Sequence, residues 1–229
     1  MKSLIHKNLL FFILCLLFLI TGAYLLLNYS KDDVFLAINN YQSAQPQALG
    51  MFFQTITHLG SGVFYVGFII CLLFVRYRYA IMGAISFSLL SLIVQTMKHL
   101  VFSDALRPVK YFEGIETIHT VSGMQMHSYN SFPSGHAAVA FGLFCLLALI
   151  SSNKALGAAY FFIALLIAFS RVYLAQHFFN DIYFGSMIGV FATVVSYIYV
   201  NGSTKLNNKS WIDKSLKIIK PKELNNRTI

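Results

Sequence analysis

The chain has 229 residues, of which 57% are hydrophobic and only 11% are charged, and its formal net charge is +9. An ordinary soluble domain carries roughly 25% charged residues, so this composition excludes a typical soluble protein. The three cysteines lie inside apolar runs, which favours small buried side chains over a disulfide set or a metal site: Cys15, Cys71 and Cys145.

Six apolar runs recur along the chain, and a bilayer core takes roughly 20 helical residues to cross. In chain order they cover residues 9–27, 62–75 (beginning near Leu59), 80–97, 133–151, 155–174 and 181–200. The sequence therefore predicts an all-α bundle of six transmembrane helices. We expect one membrane domain over residues 1–200, followed by a basic cytoplasmic tail over residues 201–229.

The more polar stretch after the first run predicts a connector at the membrane interface. Residues 34–40 within it have the pattern of a short amphipathic helix, and Pro46 then interrupts the chain. A lid or an entry ramp for a lipid is the alternative to a plain connector.

The distribution of cations predicts the orientation. With the N-terminus in the cytoplasm, the inner loops and tails hold 12 of the 17 Lys and Arg, in agreement with the positive-inside rule. Both termini are then cytoplasmic. The excess positive charge follows from the topology, and no nucleic-acid partner is needed to explain it.

A short polar turn, Ser-Phe-Pro-Ser-Gly-His, leads directly into the fourth apolar run. Pro133 suits the first turn of a helix, with Asn130 or Ser131 as the N-cap. The free N–H groups of that turn favour an anion, which Gly135 allows to approach the backbone closely. His136 beside the anion can exchange a proton near neutral pH. The plain alternative is a capped helix start with a surface histidine.

A second polar cluster follows the fifth run. His177 and Asp181 are four residues apart, so a helix places them on one face. A carboxylate that orients an imidazole leaves the other ring nitrogen free to act as a nucleophile, although a structural hydrogen bond also explains such a pair. In the six-span topology, Lys98, Arg107 and Arg171 fall on the same outer side. Three cations facing an anion-ready helix start favour a phosphate ligand.

These residues resemble the three-part motif of the type 2 phosphatidic acid phosphatase (PAP2) superfamily. The parts are Lys98…Arg107-Pro108, Pro133-Ser134-Gly135-His136 and Ser170-Arg171-x5-His177-x3-Asp181. The second and third parts match fully. In the first part eight residues separate the Lys from the Arg, where the family has six, and we expect a looser loop to absorb the difference.

The resemblance implies a role for each matching position. His177 would attack phosphorus and form a phosphohistidine, Asp181 would orient it, and His136 would protonate the leaving group. The phosphate oxygens would be held by Lys98, Arg107, Ser134, Gly135 and Arg171. The resemblance implies no metal and no cofactor.

The function implied is a lipid phosphatase in a bacterial cytoplasmic (inner) membrane, with its active site at the outer membrane face. The substrate partner would be a phospholipid or a polyprenyl phosphate. The candidates are undecaprenyl diphosphate, phosphatidylglycerol phosphate, phosphatidate and lipid A phosphate. A lipid phosphotransferase and a non-catalytic phospholipid-binding or transport protein are the alternatives. Specificity is expected in the loop of residues 103–130 and in the lateral gap between spans.

Overall fold

The computed structural model describes residues 8–216 except residues 152 and 154, and these form helices, turns and loops without a β-strand. The helices, numbered in chain order, are α1 Leu9–Asn28, α2 Lys31–Ser43, α3 Gln47–Ile56, α4 Gly62–Val75, α5 Tyr77–Thr96, α6 Pro108–Tyr111, α7 Gly135–Ile150, α8 Leu156–Tyr173, α9 Phe179–Gly202 and α10 Thr204–Asn207. A 3-10 turn, Thr57–Gly60, follows α3, and a π-helical turn, Met97–Val101, ends α5. Several cations of the orientation argument lie outside the described residues: Lys2, Lys7, Lys154, Lys217, Lys220, Lys222 and Arg227.

Among the described residues, four helices are long and apolar enough to cross a membrane, namely α1, α5 with its π turn, α8 and α9. A fifth candidate is the pair Gln47–Gly60 and Gly62–Val75, which bends by 53°. The remaining apolar helix, α7, has 16 residues and is therefore about 24 Å long, short of the ~30 Å hydrocarbon core. The chain is an integral membrane protein whose described residues form an all-helical fold with four or five such spans, and the full count of six stays a prediction.

Helix α7 is the centre of the bundle, because all but four of its 16 residues are buried. A helix that is apolar on every side belongs inside a protein rather than on its surface. Helix α9 approaches it through two glycines: a Cβ at Gly185 would lie 2.4 Å from the Ser134 carbonyl oxygen, and one at Gly189 would lie 2.2 Å from that of Ala138. Small residues give membrane helices this close contact.

We expect Gly189→Ala to lower the melting temperature of the detergent-solubilised protein by several degrees. The new methyl group meets backbone atoms that cannot rotate away, and such overpacking costs about 1–3 kcal/mol, at about 2–4 °C per kcal/mol for a chain of this size. Gly67→Ala is the matched control, because nothing lies within 4 Å of its Cβ position. Equal melting temperatures for the two variants would contradict this account of the α7–α9 contact.

The predicted start of α7 is wrong by two residues. The helix begins at Gly135, and its N-cap is Ser134, whose Oγ accepts from the Ala137 N–H at 3.4 Å. Neither residue proposed as the cap performs that role, since Asn130 adopts a left-handed φ of 55° and the Ser131 hydroxyl binds a carboxylate of α9. Contacts between helices thus decide where this helix starts.

Helix α2 is longer than predicted and is docked on the loop that follows α6. Ser30 caps it by accepting from the Asp33 N–H at 3.1 Å. The Phe35 ring stacks on Phe112 at 5.5 Å between centroids. Asn39 exchanges two hydrogen bonds, of 2.8 and 2.9 Å, with the backbone of His119. The connector therefore forms an ordered part of the fold.

Residues 203–216 fold back onto the start of α5. The N–H groups of Tyr77 and Arg78 donate to the carbonyl oxygens of Lys214 and Ile212, at 2.9 and 2.8 Å. The Arg78 guanidinium also donates twice to the Asp213 carboxylate, at 2.8 Å each, which holds the pKa of Asp213 below its ordinary value. We call this end of the bundle the tail end. Residues 217–229 of the predicted tail lie outside the described residues.

Candidate active site

The opposite end of the bundle, which we call the site end, gathers the residues predicted for the site. The π turn after α5 carries Lys98, and the residue before α6 is Arg107. The start of α7 supplies Ser134, Gly135 and His136, and the last turn of α8 holds Arg171. His177 lies two residues before α9, and Asp181 lies in the first turn of that helix. The connections that separate these residues in the sequence run between neighbouring helices. Lys98 and Asp181, which are 83 positions apart, therefore lie at the same end of the bundle.

The predicted histidine–carboxylate pair is present and fully buried. His177 Nδ1 lies 3.1 Å from Asp181 Oδ2, and the two residues are 2% and 1% exposed. The same carboxylate oxygen accepts from the Phe178 N–H at 3.0 Å and from the Ser131 hydroxyl at 2.5 Å. This network assigns the imidazole proton to Nδ1, so the lone pair is on Nε2.

The surroundings keep His177 neutral. Its pKa lies well below the ordinary value, first because the ring is buried and then because the charges of Arg107, Arg171 and Lys98 oppose protonation. A lowered pKa means that the ring stays unprotonated at neutral pH. The Nε2 lone pair is therefore available to attack an electrophile.

Arg107 faces the atom that would attack. Its Nη1 lies 3.4 Å from His177 Nε2, and the same nitrogen donates to the Gln176 carbonyl oxygen at 3.1 Å. Its Nε donates to the Tyr129 carbonyl oxygen at 3.0 Å. Burial lowers the pKa of Arg107, but a guanidinium remains protonated in proteins. A positive, fork-shaped donor is thus fixed beside the candidate nucleophile.

The other two cations are held by neutral groups. Arg171 is 4% exposed, and it donates to the Thr57 hydroxyl at 2.9 Å and to the Gln176 side-chain oxygen at 3.4 Å. Its buried Nε has no hydrogen-bond partner among the described residues. Lys98 Nζ donates to the Asn130 carbonyl oxygen at 2.9 Å. Within the described chain none of the three cations forms a salt bridge, and buried charges without a counter-ion favour an anionic ligand.

The first turn of α7 adds backbone donors. The N–H groups of Gly135 and His136 make no hydrogen bond within the part of the chain that the structure describes. The buried Ser134 hydroxyl accepts from Ala137 as the cap and keeps its own hydrogen to donate. Together with the helix dipole, these donors give the turn the chemistry that an anion requires, and the anion site itself stays a prediction.

The longer spacing of the first motif part is absorbed by local structure. The π turn places Lys98 at the end of α5, and π turns are frequent at functional sites. Two backbone hydrogen bonds hold the loop beyond it. The Ser131 N–H donates to the Ala105 carbonyl oxygen at 3.0 Å, and the Arg107 N–H donates to the Ser128 carbonyl oxygen at 2.9 Å. Both cations therefore reach the site despite the two additional residues.

Three residues of the site were missed by the sequence analysis. Ser131 was considered only as a helix cap, yet its hydroxyl binds the Asp181 carboxylate. Gln176 contacts two of the site's arginines, and its position beside His177 is the one signal that could have indicated it. Thr57 binds Arg171 across 114 residues of sequence, and no local pattern marks it.

The other four histidines among the described residues are spread over the exposed surface. His58, His99, His119 and His127 are all exposed. In the part of the chain that the structure describes, no three His, Cys, Asp or Glu side chains gather as a metal site requires.

Comparisons with known proteins find a matching family model and similar solved structures. Residues 80–205 match the sequence model of the PAP2 superfamily. The crystal structure of Aquifex aeolicus LpxE is similar with a TM-score of 0.64 and 27% identity, over 73% of this chain and 94% of that one. A transmembrane PAP2 type phosphatidylglycerolphosphate phosphatase from Bacillus subtilis shares the fold, with a TM-score of 0.56 and 21% identity over 83% and 95% of the two chains. Comparison with curated protein sequences gives no match.

Proposed function

This chain belongs to the PAP2 superfamily, and we propose that it works through a phosphohistidine formed on His177. The family match and the structural neighbours of the chain support a membrane lipid phosphatase. The observation that carries the proposal is the orientation of His177. Its Nδ1 is fixed by a buried carboxylate, while its Nε2 lies against Arg107. A protein that only binds or transports phospholipids needs no oriented nucleophile.

In the first step, Nε2 of His177 attacks phosphorus and the bond from phosphorus to the lipid oxygen breaks. His136 gives its proton to that oxygen, so the lipid leaves as a neutral alcohol. In the second step, His136 takes a proton from water and the resulting hydroxide attacks phosphorus. The nitrogen–phosphorus bond breaks, its electron pair returns to His177, and inorganic phosphate is released. A phosphotransferase would use the hydroxyl of a second lipid in place of water.

The cations perform the electrostatic part of the reaction. Negative charge spreads over the phosphoryl oxygens in the transition state, and fixed positive donors stabilise it most where water is excluded. We assign this role to Lys98, Arg107 and Arg171, of which Arg107 contacts the candidate nucleophile. The Gly135 N–H and the Ser134 hydroxyl at the start of α7 complete the set of donors in this proposal. In this proposal no metal ion or cofactor takes part.

The proposed setting follows the charge distribution. The site end would face the outer side of a bacterial cytoplasmic membrane, with both termini in the cytoplasm. Residues 1–200 would form the catalytic membrane domain, and residues 201–229 a basic segment at the inner surface. An anionic inner leaflet attracts such a segment.

The proposal is tested by phosphate release from the purified protein in detergent, with excess chelator. The substrates are phosphatidate, phosphatidylglycerol phosphate, undecaprenyl diphosphate and lipid A phosphate. We expect release from at least one of them, at a rate that the chelator does not change. Release that stops with chelator would overturn the metal-free mechanism. Transfer of phosphate to an added lipid alcohol without release would show that the protein is a transferase. The absence of both release and transfer would favour a protein that only binds or transports phospholipids.

A further inference from the structure

Two arginines of the site converge on one neutral side chain, that of Gln176, which is completely buried. Its side-chain oxygen accepts from Arg107 Nη1 and from Arg171 Nη2, each at 3.4 Å. Its backbone oxygen accepts from Arg107 Nη1 at 3.1 Å. Two guanidinium groups, which repel each other, are thus held against the residue that precedes His177.

The other end of the amide is tied to the loop before α7. Gln176 Nε2 donates to the Gln125 carbonyl oxygen at 3.1 Å and to Met126 Sδ at 3.2 Å. A guanidinium only donates and a carbonyl oxygen only accepts, so a reversed amide would lose its contacts at both ends. The network of partners therefore fixes the side-chain oxygen toward the arginines.

The turn that carries Gln176 has an unusual backbone conformation. Ala175, directly before it, has a left-handed φ of 53°, which residues with a side chain seldom adopt. The N–H groups of Gln176 and His177 both donate to the Arg171 carbonyl oxygen, at 2.9 and 3.2 Å. Strain of this kind persists where the surrounding structure determines it, and it gathers at functional sites. The turn thus fixes Gln176 beside the last turn of α8.

A carboxylate is the common partner of an arginine, and this chain uses one at the tail end. There the Arg78 guanidinium donates twice to the Asp213 carboxylate, at 2.8 Å each. At the site, Arg107 and Arg171 share an amide oxygen instead, while the carboxylate of α9 is engaged by the candidate nucleophile. The amide orients the two guanidinium groups without neutralising either of them.

The neutrality of Gln176 determines how much positive charge is left for a ligand. The three cations of the site act together on the His177 ring, and the Asp181 carboxylate is the negative charge that acts on Arg107. An excess of two positive charges follows. A phosphate monoester carries about −1.5 to −2 charges at pH 7, which matches this excess. A glutamate in place of Gln176 would halve it before any ligand binds.

From these contacts we infer that Gln176 is a positioning residue of the phosphate site. Its oxygen sets the spacing of Arg107 and Arg171 for two oxygens of one phosphoryl group, and its neutrality leaves both guanidinium groups free to bind that group. Its amide nitrogen couples this arrangement to the loop at residues 125–126. The ligand class that the charge suits is a phosphate monoester dianion. The inference rests on the proposed function, because it takes the arginines as the groups that hold the reacting phosphate.

The first test changes the charge at this position and keeps the shape. Gln176→Glu places a carboxylate against the two guanidinium groups, so an anion meets a smaller positive excess. We expect the dissociation constant for inorganic phosphate, measured by isothermal titration calorimetry in detergent, to rise at least about tenfold, because a like charge in a binding site strongly opposes the ligand. The KM of the best candidate lipid should rise by a similar factor. Gln47→Glu is the matched control, since that side chain is exposed at the start of α3.

The second test removes the shared acceptor and keeps the volume and the charge. In Gln176→Met the arginines stay positive but lose their common contact. We expect kcat to fall about tenfold to hundredfold, the size of loss that a small misplacement of a binding group causes. The affinity for inorganic phosphate should stay near that of the unaltered protein. A residue that only stabilises the fold would lower the melting temperature and leave kcat of the folded protein unchanged.

Equal phosphate affinity in Gln176→Glu and Gln47→Glu would overturn the proposal, as would an unchanged kcat in Gln176→Met or the absence of phosphate binding by the unaltered protein. Melting temperatures identify a variant that fails to fold, and the other Gln176 variant then carries the test. The phosphate titration also separates this inference from the function on which it rests. If no lipid is turned over, weaker binding by Gln176→Glu than by its control still supports the positioning role, and equal binding refutes it.

Discussion

Replacing His177 by alanine should lower phosphate release by about 10⁴-fold or more, the size of loss seen when a catalytic nucleophile is removed. The variant has no atom that can form the phosphoryl–enzyme bond. The cations and the α7 turn remain, so we expect the lipid phosphate to bind still. The measurement is single-turnover phosphate release with the best of the four lipids, together with acid-quenched detection of labelled enzyme.

The fold should tolerate this change. The Asp181 carboxylate keeps two of its donors, the Ser131 hydroxyl and the Phe178 N–H, so no buried charge is left without a partner. His119→Ala is the matched control, since that side chain is exposed and belongs to the loop docked on α2. A His177→Ala variant with a normal melting temperature and undiminished turnover would refute the phosphohistidine mechanism.

Asp181→Asn should lower the rate of phosphohistidine formation by about 10²- to 10⁴-fold, by analogy with the loss when the aspartate of a catalytic triad becomes an amide. The amide has nearly the same shape, so the change concerns charge and proton position. A neutral amide does not stabilise the positive ring that forms when His177 binds phosphorus. An amide N–H directed at Nδ1 would also move the ring proton to Nε2 and block the attack.

The two substitutions are distinguished by the labelled intermediate. Asp181→Asn should still form phosphohistidine, slowly, whereas His177→Ala should form none. Glu116→Gln is the control for loss of a carboxylate, because Glu116 is exposed in the loop after α6. Formation of the intermediate at the normal rate in Asp181→Asn would mean that the carboxylate has no part in orienting His177.

The helices were predictable where apolar runs end at polar residues. The predicted end of α4 at Val75 is the one observed, while Leu59, near which the run was expected to begin, lies in the 3-10 turn before the helix. The predicted limits of α1 differ from those observed by one residue at the C-terminal end. The start of α7 was not predictable from local capping rules. Ser131 is a good N-cap by residue type, but its hydroxyl binds Asp181, which lies 50 residues away. The stronger, charged partner determines the conformation of the turn.

The charged residues of the candidate site could be predicted from the sequence, whereas the neutral residues that hold them could not. Histidines, arginines and a carboxylate in a membrane helix bundle are rare enough to indicate function. Thr57 and Gln176 are ordinary polar residues whose importance comes from their contacts with the site's arginines, Thr57 with Arg171 and Gln176 with Arg107 and Arg171. The π turn that brings Lys98 to the site has no sequence pattern by which it could be recognised.

The contact between the start of α5 and residues 212–214 has a consequence for the order in which the bundle is completed during synthesis. Arg78 and Asp213 are separated by 135 residues, and α5 has no side-chain cap at its own start. While the ribosome makes the intervening chain, the first backbone donors of α5 have only water or lipid headgroups as partners. Residues 212–214 are synthesised long after α5, so the first N–H groups of α5 gain these partners late. The bundle is therefore complete at this end only after the residues of the site have been made.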